Sequence, residues 1–243
     1  MSFRNPLSKR VYHLKARPEQ LSPKVLVAGD PDRIEIASSL LEDPVLVSRH
    51  RGFPVITGTY KGEKITLACH GIGAPSAAIV FEELAMLGAK IVIRAGTCGG
   101  LSPEAESGKI AVIEASAYEN SGTLRQYFGE VSMPAYATPE VTLKIVEVLG
   151  EMGLEYHRGV ALSHDAFHKV EENASRWGKL GIDFLEMESA ALFTIGRYRG
   201  LKTGAMALIV DNMISGSELT EGREELELKM MKAGLEALRR LQI

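Results

Sequence analysis

Lys90-Ile91-Val92-Ile93-Arg94-Ala95-Gly96-Thr97-Cys98-Gly99-Gly100 is the stretch on which the fold of this chain turns. A short apolar run that closes on glycines fits a strand covered on both faces, as in a helix-flanked parallel sheet, and the pattern predicts a strand over 91–95. Behind it come a guanidinium, a hydroxyl and glycines in a segment that reads as a turn. Glycine lets backbone N–H groups approach a ligand closely, and Arg offers a planar fork of donors suited to phosphate oxygens. The junction reads as an anion cradle at the carboxyl end of a strand, where open α/β sheets bind ligands. A Gly-rich turn with Arg94 on the surface is the plain alternative.

Outward from this strand, short apolar runs alternate with amphipathic stretches along the whole chain. Strands are expected over 25–28, 55–60, 65–70, 91–95, 109–115, 156–162, 182–186 and 204–210, and helices over 32–41, 75–87, 139–152, 171–179, 189–199 and 221–241. Pro75 and Pro139 suit first helical turns, where a missing N–H is tolerated. Tyr60-Lys61-Gly62-Glu63-Lys64 between two β-like runs reads as a hairpin turn. The alternation predicts an α/β fold: a single domain over 1–243, with a central mixed, largely parallel sheet flanked by helices. No repeat, low-complexity tract or linker divides it.

Composition narrows the function classes. The 243 residues are 45% hydrophobic and 24% charged, with a net charge of −3, so no global basic field recruits nucleic acid or an anionic membrane. Any anion site must be local. Cys69 and Cys98 form neither a disulfide framework nor a zinc spacing, which suits a reducing cytoplasm, and no metal is expected. Residues 1–23 are polar and basic with no apolar core, so no secretory leader is expected, and no run reaches membrane-spanning length.

Groups able to bind or react collect at the ends of five predicted strands. These ends are Gly29-Asp30-Pro31-Asp32-Arg33, His70-Gly71-Ile72-Gly73, Arg94 with its glycines, Glu186-Met187-Glu188-Ser189, and Asp211-Asn212. In a parallel sheet they share one edge and one crevice. Each has a bland reading: Arg33 pairing with Asp30 or Asp32, His70 as a hydrogen-bonded core residue, Glu186 and Glu188 as solvated acids at a helix start, Met187 as core. In extended backbone, Glu186 and Glu188 point to one side and can line one wall, where a carboxylate suits the vicinal diol of a ribose. Asp211 follows Ala207-Leu208-Ile209-Val210, so apolar surroundings would favour its neutral acid; a loop-capping Asp is the equal alternative.

Taken in order, Gly29-Asp30-Pro31-Asp32-Arg33, His50-Arg51-Gly52-Phe53, Gly58-Thr59-Tyr60, Gly71-Ile72-Gly73-Ala74-Pro75-Ser76, Arg94-Ala95-Gly96-Thr97-Cys98-Gly99 and Glu186-Met187-Glu188 resemble the motifs of the hexameric nucleoside phosphorylases. That family contains purine nucleoside, uridine and methylthioadenosine phosphorylases, and the likeness runs from His13 to Asp211. The resemblance implies that Gly29, Arg33, Arg94 and Thr97 hold phosphate, with Arg51 reaching in from a neighbouring subunit. Met187 would pack under the ribose, Glu188 would take its 2′- and 3′-hydroxyls, and His13 of the neighbour would meet the 5′-hydroxyl. Phe167 would stack on the base, with Cys98, Gly99 and Asp211 completing the base wall and Glu186 lining the base or sugar wall. Arg94, Glu188 and Asp211 would carry the chemistry. The partners implied are a nucleoside and phosphate, the latter as co-substrate with no cofactor, and identical subunits in a hexamer built as a trimer of dimers with shared sites.

The signals for the base pull in two directions. Val11-Tyr12-His13-Leu14, Gly29-Asp30-Pro31-Asp32-Arg33 and Thr97 resemble the uridine branch. Its uracil-reading Gln-x-Arg is missing after Phe167, where His168-Lys169-Val170-Glu171-Glu172-Asn173 stands. Asp211 resembles the acid of the purine branch, although the Ser that usually precedes it is Val210, and Arg223 meets the assisting Arg of that branch only across a gap. A purine base is favoured. Rival classes predict other residues: a nucleoside hydrolase would lack Arg33, Arg51 and Arg94, a non-catalytic binding module would have lost part of the Arg, Glu and Asp set, and a dinucleotide-binding domain would show G-x-G-x-x-G after its first strand.

Overall fold

A computed structural model of the chain describes residues 11–119 and 122–243. The first ten residues of the domain expected over 1–243 thus lie outside the described residues. The strands are β1 (Lys24–Ala28), β2 (Glu42–Ser48), β3 (Val55–Tyr60), β4 (Glu63–Cys69), β5 (Ile91–Gly100), β6 (Ile110–Tyr118), β7 (Tyr156–Ser163), β8 (Phe184–Glu186) and β9 (Lys202–Asn212). Among the described residues they join in one sheet of order β2-β3-β4-β1-β5-β8-β7-β6-β9. β5 also pairs with β9, so five strands from β5 round to β9 close on themselves while β1, β4, β3 and β2 extend as an open wing. The β1–β4, β1–β5, β5–β9, β6–β7 and β7–β8 pairs run parallel; the β2–β3, β3–β4, β5–β8 and β6–β9 pairs run antiparallel.

Helices α1 (Pro31–Ser38), α2 (Ala74–Met86), α3 (Gly122–Phe128), α4 (Pro139–Glu151), α5 (Ala174–Lys179), α6 (Ser189–Arg199) and α7 (Arg223–Arg240) connect the strands. Alternate strand residues face opposite sides, so the sheet carries two cores. Val25, Val27 and Val92 pack with Phe81 of α2 and Phe193 of α6. Leu26, Ile91 and Ile93 pack with Ile34 of α1, Ile145 of α4 and Leu235 of α7. Prolines open α1 and α4, and Asp30 caps α1 by accepting the Asp32 N–H at 2.9 Å.

The α/β class, the helices on both faces and the hairpin at 60–64 match the sequence reading, while four features depart from it. The turn expected after residue 95 is strand: β5 continues to Gly100 because β9 pairs with it along its whole length. Its glycines have no positive φ. They serve close approach instead, since a Cβ at Gly96 would run into the Arg94 guanidinium and one at Gly99 would lie 2.8 Å from Asp211 Oδ1. The second departure is β8, which runs antiparallel to β5, so the strand ends do not all share one parallel edge. The other two, β2 and α3, went unseen. β2 contains Pro44 and leaves Val45 and Leu46 exposed on an edge, and α3 is one short polar-rich turn or two. α5 begins at Ala174 rather than 171, after a separate 3₁₀ turn at Phe167–Lys169.

Candidate active site

The site forms where β5 changes partners. Residues Lys24–Val27 of β1 pair with Ile91–Arg94, and β8 joins only opposite Gly99 and Gly100. Between these registers residues 95–98 of β5 are left unpaired on one edge, and this gap in the sheet, the physical equivalent of a topological switch point, is the crevice of the candidate site. β8 runs back toward this opening, and its register places Glu186 and the residues after it beside the Arg94–Cys98 segment. Convergence therefore comes from one strand reversed against its neighbour, not from a row of parallel ends.

Arg94 is the centre of charge. Its side chain is 4% exposed, and Nη2 donates to Glu188 Oε2 and lies 3.6 Å from Glu186 Oε2. Burial works against its charge, but Glu188 and Glu186 outweigh it and push the guanidinium pKa up further. Nε and Nη1 are buried with no partner in the structure. Orphaned guanidinium donors are costly, and an oxyanion is the ligand that satisfies them. Glu188 Oε1 accepts the Gly73 N–H at 2.7 Å, at the start of α2.

Glu186 departs from its expected place on the base or sugar wall. Its side chain is fully buried, and it accepts from the Glu188 N–H and the Ser189 N–H at 2.8 Å, from the Ser189 hydroxyl at 2.9 Å, and from the Ser163 hydroxyl. With the first turn of α6 left without intrahelical acceptors, a carboxylate three residues upstream is the natural cap. It orients Glu188 rather than facing a ligand. Met187 between them is half-buried.

Gly29 and His70 stand side by side at the ends of β1 and β4. A Cβ at Gly29 would lie 2.9 Å from the Gly71 carbonyl oxygen, so the backbone can pass here only as glycine. The His70 ring is fully buried, Nδ1–H donates to the Gly71 oxygen at 2.7 Å, and burial with the nearby Arg94 and Arg33 charges pushes its pKa down to about 3. A neutral core histidine results. Arg33 pairs neither with Asp30 nor with Asp32: Nε and Nη2 donate to Glu227 of α7 at 3.2 and 3.0 Å.

At the other end of the crevice, Thr97 is half-buried, Cys98 is buried with its thiol pKa raised by burial, and Gly99 faces Asp211 across the β5–β9 register. Asp211 is half-buried, and burial together with Glu218 raises its pKa. Arg223 donates to Glu227 at 3.0 Å, and the structure places no bond between it and Asp211. Phe167 is 65% exposed, edge-on to His168 with ring centroids 5.2 Å apart.

His13 and Arg51 come together on the surface, away from this cluster. Glu83 of α2 accepts the His13 N–H at 2.8 Å, the Leu14 N–H at 2.7 Å and bonds His13 Nδ1 at 2.8 Å. His50 Nδ1 donates to the His13 carbonyl at 2.9 Å, and Arg51 lies over the exposed Tyr12 ring at 5.9 Å. Four contributors escaped the sequence reading: Glu227, Ser163, Glu83 and the Gly73 N–H. Each acts across a long sequence separation, and only Gly73 lay within a motif.

Comparison with known proteins follows this geometry. The phosphorylase superfamily profile matches residues 23–241. A uridine phosphorylase from Thermococcus kodakarensis is 33% identical over 236 residues, covering 91% of this chain and 84% of its own. A DeoD-type purine nucleoside phosphorylase from Streptococcus pyogenes is 36% identical over 231 residues, covering 93% and 97%. The crystal structure of purine nucleoside phosphorylase from Toxoplasma gondii in complex with immucillin-H superposes with a TM-score of 0.85 at 28% identity, covering 93% of this chain and 94% of that one. A likeness that extends over nearly the whole chain, in sequence and in fold alike, makes this protein a member of the phosphorylase superfamily.

Proposed function

We propose that this protein cleaves purine nucleosides. As a nucleoside phosphorylase, a pentosyltransferase, it breaks the N-glycosidic bond with phosphate and releases free base and pentose 1-phosphate. The single observation that carries the choice of base is Asp211, an acid whose pKa is raised by burial and which sits against Gly99 at the crevice end opposite Arg94. A neutral carboxyl there can give a proton or hydrogen bond to N7 of a departing purine, whereas uracil carbonyls need donors such as the Gln-x-Arg that residues 168–173 do not supply. The uridine reading keeps the support of the relative from Thermococcus kodakarensis named a uridine phosphorylase and of the Val11–Leu14, Gly29–Arg33 and Thr97 resemblances.

In this reading phosphate enters against Gly29, Arg33, Arg94 and Thr97, and satisfies the two orphaned nitrogens of Arg94. Holding it below C1′ turns a bimolecular attack into an oriented one. Glycosidic-bond stretching leaves an oxocarbenium-like sugar that the phosphate dianion stabilises, while Glu188 takes the 2′- and 3′-hydroxyls and Met187 packs under the ring. Glu188 is preset by the Gly73 N–H and by Glu186 behind it, and the incoming diol shares it with Arg94. Cys98, Gly99 and Phe167 flank the base. His13 and Arg51 belong to a neighbour's site, which requires a homo-oligomer, a hexamer as a trimer of dimers.

We extend the proposal to the chain as a whole: one phosphorylase domain over 1–243, cytoplasmic, needing no metal or organic cofactor and binding neither nucleic acid nor membrane. Among the described residues no helix is long and apolar enough to cross a membrane. The deciding experiment is chromatography of inosine, guanosine, adenosine and uridine incubated with the protein, with and without phosphate. Purine release that depends on phosphate is the expected result. Release at an unchanged rate without phosphate would mean hydrolysis, and cleavage confined to uridine would overturn the base.

A further inference from the structure

We infer that Glu227 is the positioning residue of Arg33, delivered to the phosphate end of the site by α7. The inference rests on the reading that Arg33 faces phosphate. Arg33 lies in the first turn of α1 and is buried, with its guanidinium held through Nε on Glu227 Oε2 at 3.2 Å and through Nη2 on Oε1 at 3.0 Å. Two parallel bonds from the fork fix both the plane and the rotation of the guanidinium and leave Nη1 outside the pair. The nearer acids do not compete, since Asp30 is engaged as the cap of α1.

Glu227 is itself held. Arg223, one turn earlier on α7, donates Nε to Oε1 at 3.0 Å. Burial works to raise the Glu227 pKa, but Arg33 and Arg223 hold it below the usual range, so the carboxylate is charged at neutral pH. Glu227 is thus shared between two guanidiniums, and Arg33 keeps Nη1 outside the pair for an arriving anion. A long Arg side chain free to sample its rotamers would lose that freedom on binding phosphate; the pair with Glu227 removes the loss beforehand. The helix that does this is the element that follows β9, the strand that carries Asp211.

Steady-state kinetics with phosphate and nucleoside varied separately test the assignment on Arg33→Ala, Glu227→Ala, Glu227→Gln and the double alanine variant. Glu227→Ala should raise the KM for phosphate about tenfold while the KM for nucleoside stays within about twofold. Glu227→Gln keeps the shape but only one acceptor oxygen for the two donors, so it should recover only a part of that loss. In the double variant, loss of Glu227 should add nothing to loss of Arg33, because a positioning residue has nothing left to position. A phosphate KM unmoved by Glu227→Ala, or losses that add in the double variant, would reduce Glu227 to a structural anchor and overturn the inference. If Arg33→Ala itself leaves the phosphate KM unchanged, the phosphate-site reading fails, and the inference with it. Should Glu227→Ala not fold, Glu227→Asp, which withdraws the carboxylate by one methylene, reads the same phosphate KM.

Discussion

Arg94 and Asp211 sit at opposite ends of the crevice, and burial acts on them in opposite senses. Arg94 keeps its charge because two carboxylates, Glu188 and Glu186, offset the desolvation of a guanidinium that is nearly out of reach of water. Asp211 has no cation against it. Its neighbours are the apolar end of β9 and the like charge of Glu218, and both favour the protonated acid. Asp211→Asn keeps the shape but cannot surrender a proton. General acid catalysis contributes about 10²–10⁴-fold, so purine nucleoside turnover should fall within that range while KM barely changes, read from the initial rate of base release. Burial and Glu218 raise the Asp211 pKa, so wild-type kcat should decline as pH climbs through it, and the variant should lose that alkaline limb. A purine rate that ignores both the substitution and the pH would remove Asp211 from the chemistry.

At the scale of elements, α7 carries the molecule's densest ionic network at its C-terminal end. Glu236 accepts from Lys61 Nζ at 3.1 Å, Arg239 Nη2 at 2.7 Å and Arg240 Nε at 2.8 Å, joining α7 to the β3–β4 turn, while Arg240 reaches Glu151 of α4 at 2.7 Å. Its hydrogen bond from Arg239 acts first, and Arg240 and Lys61 add to it against burial, lowering its pKa from 4.5 to about 2. A carboxylate depressed in the folded state stabilises above its unfolded pKa, and the contribution fades as pH falls from 4.5 through 2. Lys61 and Arg239 are solvated, so screening leaves only a small contribution from each pair. Glu236→Gln should therefore melt lower at pH 7, with the difference from wild type shrinking toward pH 2, followed by circular dichroism at a series of pH values. An undiminished difference at low pH would assign the loss to packing. None of this network was legible in the sequence, and the reason is physical. Hydrophobic period fixed the long elements, so β3, β4, α4, α6 and α7 emerged near their true bounds. The motifs, in turn, singled out Arg94 and Glu188, which the fold brings into contact. What period and motif cannot carry is pairing partner. β5 read as a strand ending in a turn because its glycines have no side chains to show a period, and β9, far along the chain, keeps them extended. β8 read as parallel because three residues carry no sign of direction. The bland alternative for Arg33 offered only the adjacent aspartates as partners, because Glu227 lies 194 residues away.

At the scale of the whole molecule, the His13 and Arg51 segments form one surface patch, the patch proposed to serve a neighbour's site. Tyr12 is 64% exposed beside Arg51, and Arg51 adopts a φ of 57°, a left-handed conformation that a non-glycine residue holds at a cost of about 1–2 kcal/mol. Glu83 and His50 fasten the neighbouring His13 segment from within the same chain. In the proposed reading, this exposed arginine and the fastened histidine beside it are what one chain offers to its neighbour's site. In a two-fold dimer each chain would supply this patch to the other's crevice, so one site would combine Arg94 of one chain with Arg51 of the other. Arg51→Ala and Arg94→Ala should each be nearly inactive as pure proteins. Mixed under conditions of subunit exchange, they form hybrid dimers in which one site carries both substitutions and the other carries neither. Random exchange of equal amounts makes half the dimers hybrid, so about a quarter of all sites are intact and about a quarter of wild-type phosphorolysis should return. Native mass spectrometry would establish that hybrids formed. Hybrids without activity would place Arg51 in its own chain's site or outside any site, and recovery confined to the hybrid fraction would require that the enzyme work only as an assembly.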